Sequence, residues 1–336
     1  MRRFILIAIL AALAAPSAWA ESAPIPVKLG VSGRPDQASL ELALRRGYFE
    51  KQGLAIETVQ ASSGMEFVSS LAADQLQVAS GSPNAALFNA LNRGIDIRIV
   101  ADFAHIGGAG DRTVAIMVRS DLLDGGAIKT PADLKGHSLA GGPGAAQITD
   151  VMFDRMFRAA NIKASDVDVR HLTFADSLSA MGTKSLDSAF MVEPLVTMGE
   201  QKEIARVLVD GGTVYPGGEL SVFYFSPGFA KNKDAATKFM VAFLQGARDY
   251  YDAFFLGKGK DEAIKLLVQY LPVKDPALWQ TSRQNTDVNG HVNVDDLKYQ
   301  AAFYKSQGYV TGAVPDIDKQ VDTEFADAAV KILGRR

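Results

Sequence analysis

Glycines and small polar residues follow the short apolar segments of this sequence, where the loops of an alternating strand and helix pattern would lie. Serine, asparagine and glutamine donate and accept hydrogen bonds, and an arginine beside a glycine can grip an anion with two parallel hydrogen bonds. Loops at the carboxyl ends of parallel strands surround the ligand in open α/β sheets, so these residues form a candidate binding site. The candidates are Gly33, Arg34, Ser62, Ser63, Ser82, Asn84, His105, Gly144, Gln147, Glu193 and Tyr224.

Several of these loops open predicted helices, and a helix start presents unpaired N–H groups and the positive end of the helix dipole. Two such starts that face each other predict a site for a carboxylate, sulfonate or phosphate. The carboxylate of Glu193 would repel a bound anion unless it is itself paired. Glu193 therefore either caps backbone N–H groups or binds a donor or a positive group on the ligand. Three candidates have structural alternatives: Ser82 as a helix N-cap with Pro83 in the first turn, Arg34 as a surface residue, and Tyr224 as core.

The sequence offers little that resembles catalytic machinery. Its four histidines are scattered without metal-ligand spacing, and neither a His-Glu-x-x-His nor a Gly-x-Ser-x-Gly pattern occurs. The chain has no cysteine, which excludes disulfides, thiolate catalysis and a lipid-modified cysteine. We therefore expect no catalytic residue, no metal and no cofactor.

Short strand-like runs alternate with amphipathic helical segments, which predicts an α/β fold with mostly parallel sheets and helices on both faces. The first series includes strands at residues 97–100 and 113–118. The pattern breaks near residues 120–131, and a second series of the same order follows. After residue 227 the sequence predicts mainly helices, at residues 231–255, 261–270, 294–306 and 316–333.

The first twenty residues predict a secretory signal peptide. Arg2 and Arg3 precede an apolar run of about 12 residues, and Ala18-Trp19-Ala20 offers a small-residue cleavage site. The run is too short to cross a bilayer, which needs about 20 apolar residues. We expect a periplasmic mature chain that begins at Glu21 and has no stable membrane insertion.

Length and charge narrow the class further. The 336 residues exceed what one core usually organises, so two lobes are expected. We predict a first lobe of residues 21–117 and 226–336 and a second lobe of residues 118–225. The formal net charge of −3 becomes −5 once the two leader arginines are removed, which argues against nucleic acid and anionic membrane as partners.

A run of short segments carries a family resemblance. They are ALRRGYFEKQGL at residues 43–54, LQVA at 76–79 followed by Ser82-Pro83, LFNA at 87–90, DLKG at 133–136, DSA at 187–189 and Glu193-Pro194. Together they resemble the periplasmic solute-binding proteins of ABC importers in the nitrate, sulfonate and taurine class, which includes proteins similar to thiamine-pyrimidine binders. The resemblance implies a two-lobe, type II-like periplasmic binding protein fold with parallel-rich sheets and a ligand cleft between the lobes.

The function that the resemblance implies is capture of a small molecule for an ABC permease and its ATPase, by a monomer that closes through a hinge near Val118 and Phe225. The helix starts and Arg34 favour a small organic anion, a sulfonate or a carboxylate. The alternative is a neutral or amine-bearing heterocycle, such as a thiamine-precursor pyrimidine, that meets Glu193. A second alternative is a secreted enzyme on the same scaffold. The related enzymes that make the thiamine pyrimidine use a cysteine-rich motif, which this chain lacks.

Overall fold

The computed structural model describes residues 23–31, 37–60 and 64–336, and these form two five-stranded sheets flanked by helices. We call each sheet with its flanking helices a lobe. The strands are β1 (Ile25–Val31), β2 (Leu54–Gln60), β3 (Val78–Gly81), β4 (Arg98–His105), β5 (Val114–Arg119), β6 (Ser138–Gly141), β7 (Asp168–His171), β8 (Ser188–Val192), β9 (Ala205–Asp210) and β10 (Glu219–Phe225).

Helices cover both faces of the sheets. They are α1 (Ala38–Arg45), α2 (Tyr48–Lys51), α3 (Gly64–Ala72), α4 (Ala85–Asn92), α5 (Ser120–Asp124), α6 (Ile148–Ala159), α7 (Phe174–Gly182), α8 (Leu195–Gln201), α9 (Gly211–Val214), α10 (Pro227–Lys231), α11 (Lys233–Phe254), α12 (Lys260–Tyr270), α13 (Pro276–Thr281), α14 (Val294–Ser306), α15 (Ile317–Gln320) and α16 (Glu324–Leu333). Short 3-10 turns lie at Pro131–Leu134 and Ala164–Asp166. No helix in the described part of the chain is long and apolar enough to cross a membrane.

The strand order is β2-β1-β3-β10-β4 in the first sheet and β7-β6-β8-β5-β9 in the second. In the first sheet β1 is parallel to β2 and β3, whereas β10 is antiparallel to β3 and β4. In the second sheet β6 is parallel to β7 and β8, whereas β5 is antiparallel to β8 and β9. The expected two-lobe α/β fold is confirmed, with sheets that are mixed.

The two antiparallel strands are the ones that enter a sheet from the other lobe. The chain leaves the first sheet at the carboxyl end of β4, so β5 starts between the lobes and runs against β8. β10 likewise starts between the lobes after β9. The run at residues 113–118, expected in the first series, therefore lies in the second sheet. The predicted lobe boundaries at residues 118 and 225 fall within β5 and at the end of β10.

Two chain segments cross between the lobes, at residues 106–113 and 211–218, and they run side by side. Ile106 N donates to Gly218 O at 2.9 Å, and Gly217 N donates to Ile106 O at 2.9 Å. A Cβ atom at Gly212 would lie 1.8 Å from the carbonyl oxygen of Gly108. The crossing therefore packs backbone against backbone at this point, which requires glycine.

Local caps and long-range contacts correct three details of the predicted elements. Ser82 is not the N-cap of α4, because Asn84 holds that position and its Oδ1 accepts from Leu87 N at 3.0 Å. The helical spacing of apolar residues over 38–49 predicts one helix, but the chain forms α1 and α2 there, divided at Gly47, which has a φ of 68°. The last predicted helix is divided into α15 and α16, because Val321 forms a bridge with Ile99 of β4.

An aromatic core lies between the first sheet and α11. Phe103 of β4 and Phe223 of β10 meet edge to face, with ring centroids 4.9 Å apart, and Phe239 and Phe243 of α11 pack against them. All four side chains are almost fully buried. The helical third of the chain thus covers the first lobe, as its amphipathic pattern predicts.

Candidate ligand-binding site

A cavity of about 270 Å³ lies between the lobes at the ends of β3, β4 and β8; we call it the inner cavity. The first lobe supplies Ser82, Ala104, Leu220 and Gln284. The second lobe supplies Thr113, Val114, Ile148, Phe174, Ala175, Phe190, Val192, Glu193, Pro194 and Leu195. Ligands bind outside the carboxyl ends of strands in open α/β sheets, so the inner cavity is the candidate ligand site.

The walls of the inner cavity are mostly apolar. Phe174 and Phe190 stand on one side with ring centroids 5.8 Å apart and ring planes at 48°. Ile148, at the start of α6, and Leu220, in β10, come from opposite lobes. Such walls favour burial of an apolar or aromatic ligand body and gain little from a small hydrated ion.

Gln284 is a polar wall residue from the segment between α13 and α14. It is 7% exposed, and its backbone N donates to the hydroxyl of Tyr250 at 3.1 Å. No group in residues 23–31, 37–60 or 64–336 hydrogen-bonds to its side-chain amide. The amide therefore faces the inner cavity with a free donor and a free acceptor.

Glu193 lies at the base of the inner cavity and is also buried. Its carboxylate accepts from Thr197 N at 3.1 Å and from the Thr197 hydroxyl at 2.9 Å, so it caps the first turn of α8. Ser282 Oγ, from the first lobe, lies 3.5 Å from Glu193 Oε2. Burial raises the pKa of Glu193 above its usual value, although the bonds from Thr197 act in the opposite sense. The local capping considered from the sequence is present, and the same side chain borders the cavity.

A second and more open cavity of about 390 Å³ shares Thr113 and Glu193 with the inner cavity. It contains two cations. Arg112 forms an ion pair with Glu200 at 2.5 Å, and the guanidinium of Arg283 lies 5.6 Å from the ring centroid of Phe255. Within the described walls, positive side chains thus border the outer space and are missing from the inner cavity.

His105 and Tyr224 lie near the cleft without forming the wall of the inner cavity. His105 ends β4, and its Nδ1 is 3.0 Å from Asp102 Oδ2. Burial by itself would lower the pKa of His105, but the hydrogen bond and negative charge of Asp102 outweigh it and raise the pKa. Tyr224 is buried within the first sheet, where its hydroxyl donates to Gly81 O at 3.0 Å.

Of the other candidates, some lie at the edge of the cavity, some lie outside its wall, and some belong to residues that the structure does not describe. Ser82 lines the inner cavity, and Asn84 caps α4 beside it. Gly144 is exposed and Gln147 is half-buried in the loop before α6, outside the cavity wall. Gly33, Arg34, Ser62 and Ser63 lie outside the described residues. The structure thus brings Ser82 and Glu193 together at one cavity.

Sequence reasoning missed Gln284, Thr113 and the two phenylalanines. Phe190 sits inside β8, where an aromatic residue predicts core, and Phe174 follows the N-cap Thr173 of α7. Gln284 belongs to a stretch for which only helices were predicted. A short polar segment between two helices was its one signal.

A cluster around Arg155 joins the lobes beside the inner cavity; we call it the Arg155 cluster. The guanidinium of Arg155, on α6 of the second lobe, lies 4.1 Å from the ring centroid of Tyr215 and 4.0 Å from that of Tyr299. Its Nη2 is 3.8 Å from Asp296 Oδ1. Tyr299 and Asp296 belong to α14, which covers the first lobe. The cluster therefore fixes one edge of the cleft across both lobes.

The described residues contain no group of three or more histidine, aspartate or glutamate side chains that could hold a metal ion. The family model for NMT1/THI5-like proteins matches the sequence at residues 34–253, about two thirds of the chain. The chain belongs to the NMT1/THI5-like family. The resemblance seen in the sequence is thereby confirmed at the level of family.

One relative of this NMT1/THI5-like chain is a protein of Brachyspira hyodysenteriae, provisionally named an ABC transporter periplasmic binding protein. It is 22% identical over 322 residues, which cover 90% of this chain and 89% of the relative. The match spans both lobes.

Solved structures share the fold of the NMT1/THI5-like chain at low identity. The aliphatic sulphonate-binding protein SsuA of Escherichia coli has a TM-score of 0.71 at 20% identity, with 89% of this chain and 97% of SsuA covered. The nitrate-binding protein NrtA of Synechocystis PCC 6803 has a TM-score of 0.71 at 14% identity, with 93% and 89% covered. The desulfurization enzyme DSZB has a TM-score of 0.65 at 14% identity, with 92% and 99% covered. The fold is thus found in binding proteins and in an enzyme.

Proposed function

We propose that this protein is the periplasmic substrate-binding component of an ABC import system and that it captures a small organic molecule in the inner cavity. The single observation that carries the proposal is the cavity itself, which draws its walls from both lobes at the strand ends. Family membership and the relative named as an ABC transporter binding protein support it.

The hinge expected near Val118 and Phe225 does not fit, because both residues lie in paired strands, β5 and β10. In this proposal the lobes move instead about the two crossing segments. In this proposal the ligand first meets one lobe, and closure then buries it between Leu220 and Gln284 on one side and Phe174 and Phe190 on the other. The closed form is the one that docks on the permease and its ATPase, because closure changes the relative positions of the two lobe surfaces.

Two ligand classes were expected from the sequence. A small organic anion relies on Arg34 and on helix starts, whereas the described wall of the inner cavity offers the carboxyl of Glu193 and no positive side chain. A buried carboxylate beside an anion is unfavourable. We therefore favour the uncharged member of the alternative class, a neutral ring-containing molecule, over a sulfonate or a carboxylate.

A thermal-shift screen of the chain from Glu21 onward tests the capture. The panel contains sulfonates, nitrate, carboxylates, pyrimidines and neutral aromatic amides. A ligand at 100 times its dissociation constant adds about 2.7 kcal/mol to the free energy of unfolding. At about 2 °C per kcal/mol for a chain of this size, the melting temperature should rise by about 5 °C.

Small-angle scattering and product analysis complete the test. The radius of gyration should fall when a hit saturates the protein, and the ligand should be recovered unchanged. A constant radius of gyration with every tight ligand would contradict closure. Chemical conversion of the bound ligand would favour the secreted-enzyme alternative instead.

A further inference from the structure

We propose that the ligand of the inner cavity is an uncharged molecule with an apolar, ring-containing body and one amide-like end that pairs with the side chain of Gln284. The required end carries a donor and an acceptor side by side, as a primary carboxamide or a lactam does. This inference rests on the proposed function, since it specifies the molecule that the binding protein captures.

The dimensions and walls of the cavity select the body of the ligand. A dry apolar cavity of roughly 150 Å³ holds a benzene molecule. The inner cavity, at about 270 Å³, has room for one ring with a short substituent. Phe174, Phe190, Ile148 and Leu220 from the two lobes surround that space, so closure removes apolar surface of the ligand from water on both sides.

The free amide of Gln284 selects the end group. The side-chain oxygen and nitrogen of Gln284 are accessible from the cavity, so a ligand that covers them must supply both hydrogen bonds or leave a polar group unpaired. The side-chain amide presents C=O and NH₂ in one plane, which matches the donor and acceptor edge of a second amide. A carboxylate offers acceptors alone, and an ammonium offers donors alone, so each leaves one half of Gln284 unpaired.

The charge on the described wall of the cavity disfavours both kinds of ion. The one titratable side chain in the described wall is Glu193, and it opposes a bound sulfonate or carboxylate. Its carboxylate already accepts two hydrogen bonds from Thr197, so little of it is left for an ammonium. Burial also raises the pKa of Glu193, which weakens any attraction to a cation.

A series of four ligands, each a phenyl ring on a three-carbon chain that ends in a different polar group, tests the end group by calorimetry on the mature chain at pH 7. The compounds are 3-phenylpropanamide, 3-phenylpropanoate, 3-phenylpropane-1-sulfonate and 3-phenylpropan-1-amine. The amide should bind at least tenfold more tightly than each charged compound. Tightest binding by the sulfonate, the carboxylate or the amine would overturn this inference and leave the proposed function standing.

A variant of the cavity amide tests the pairing itself. The substitution Gln284→Met keeps the length of the side chain and removes both polar groups, and no hydrogen bond to any described residue is lost. Affinity for 3-phenylpropanamide should fall at least tenfold, while affinity for propylbenzene should stay within twofold. The same substitution at exposed Gln307, after α14, is the matched control and should change neither affinity.

Two results would reject the pairing. Equal losses for the amide and for propylbenzene would mean that Gln284 acts through the shape of the cavity alone. Binding of none of the four compounds would also overturn the inference. If, in addition, no member of the thermal-shift panel binds, the proposed function fails with it, so the two failures are distinguishable.

Discussion

Replacement of Arg155 by methionine should destabilise the protein by about 2 kcal/mol and loosen the contact between the lobes. The substitution keeps most of the side-chain stem and removes the charge that lies between Tyr215 and Tyr299. It also leaves the carboxylate of Asp296 without its positive neighbour. Because these partners come from both lobes, the loss weakens the cleft edge as well as α6.

The magnitude follows from three contacts. Each cation–π contact at a partly exposed site contributes about 0.5–1 kcal/mol. The Arg155 side chain is 32% exposed, so its ion pair with Asp296 at 3.8 Å adds about 0.2–1 kcal/mol. Asp296 keeps hydrogen bonds from Glu219 N at 2.8 Å and Gln300 Nε2 at 2.7 Å, which limits the penalty of losing the arginine.

Urea unfolding of Arg155→Met, Tyr299→Leu and the double variant measures both the loss and its origin. The coupling free energy between the two positions should be about 0.5–1 kcal/mol. Arg158→Met is the matched control on the same helix, because its side chain is 73% exposed and pairs only with Asp154 among its described neighbours; its loss should stay below about 0.5 kcal/mol. Equal losses for the two arginine variants, or a coupling of zero, would refute the reasoning.

Two further predictions concern the first lobe. Burial, reinforced by the nearby Asp102, raises the pKa of Glu219 well above 4.5, so the folded protein retains a proton that the unfolded chain releases and stability falls as the pH rises. The free energy of unfolding of Glu219→Gln minus that of the parent should therefore be larger at pH 8 than at pH 4, by roughly 1 kcal/mol or more. A difference in urea midpoints that does not change with pH would contradict this. Gly246→Ala should cost about 1–2 kcal/mol by thermal unfolding despite the better helix propensity of alanine, because the new Cβ would lie 2.6 Å from both Ala43 Cβ and Ser39 O; a more stable variant would disprove the overlap.

The helices that depend on local signals were the most predictable part of the fold. α14 begins and ends at the residues that its periodicity predicts, and in the structure Asn293 caps its first turn. The division between α15 and α16 was not predictable, since Asp322 N donates to Ile99 O at 2.8 Å and this bond to a distant strand replaces a helical one. The same limit applies to β5 and β10, whose sheets depend on pairing across more than fifty residues of chain.

The site was predictable in position and less so in chemistry. The strand-end loops predicted candidates near the cleft, and two of these, Ser82 and Glu193, line the inner cavity. The apolar character was not predictable, because Phe174 and Phe190 have the pattern of ordinary core residues until the two lobes are placed together. Gln284 lies about ninety residues from Glu193 in sequence, and a local pattern carries no signal for such a meeting.

The position of β10 sets the order in which the two sheets can be completed. The second sheet uses residues 114–210 without interruption, so all of its strands are available before β10 emerges. The first sheet cannot close at that stage, because β10 lies between β3 and β4 and those strands have no direct pairing to hold them together. The lobe that begins with β1 can therefore be completed only last, because a chain that stops before residue 219 has all the strands of the second sheet and lacks the central strand of the first.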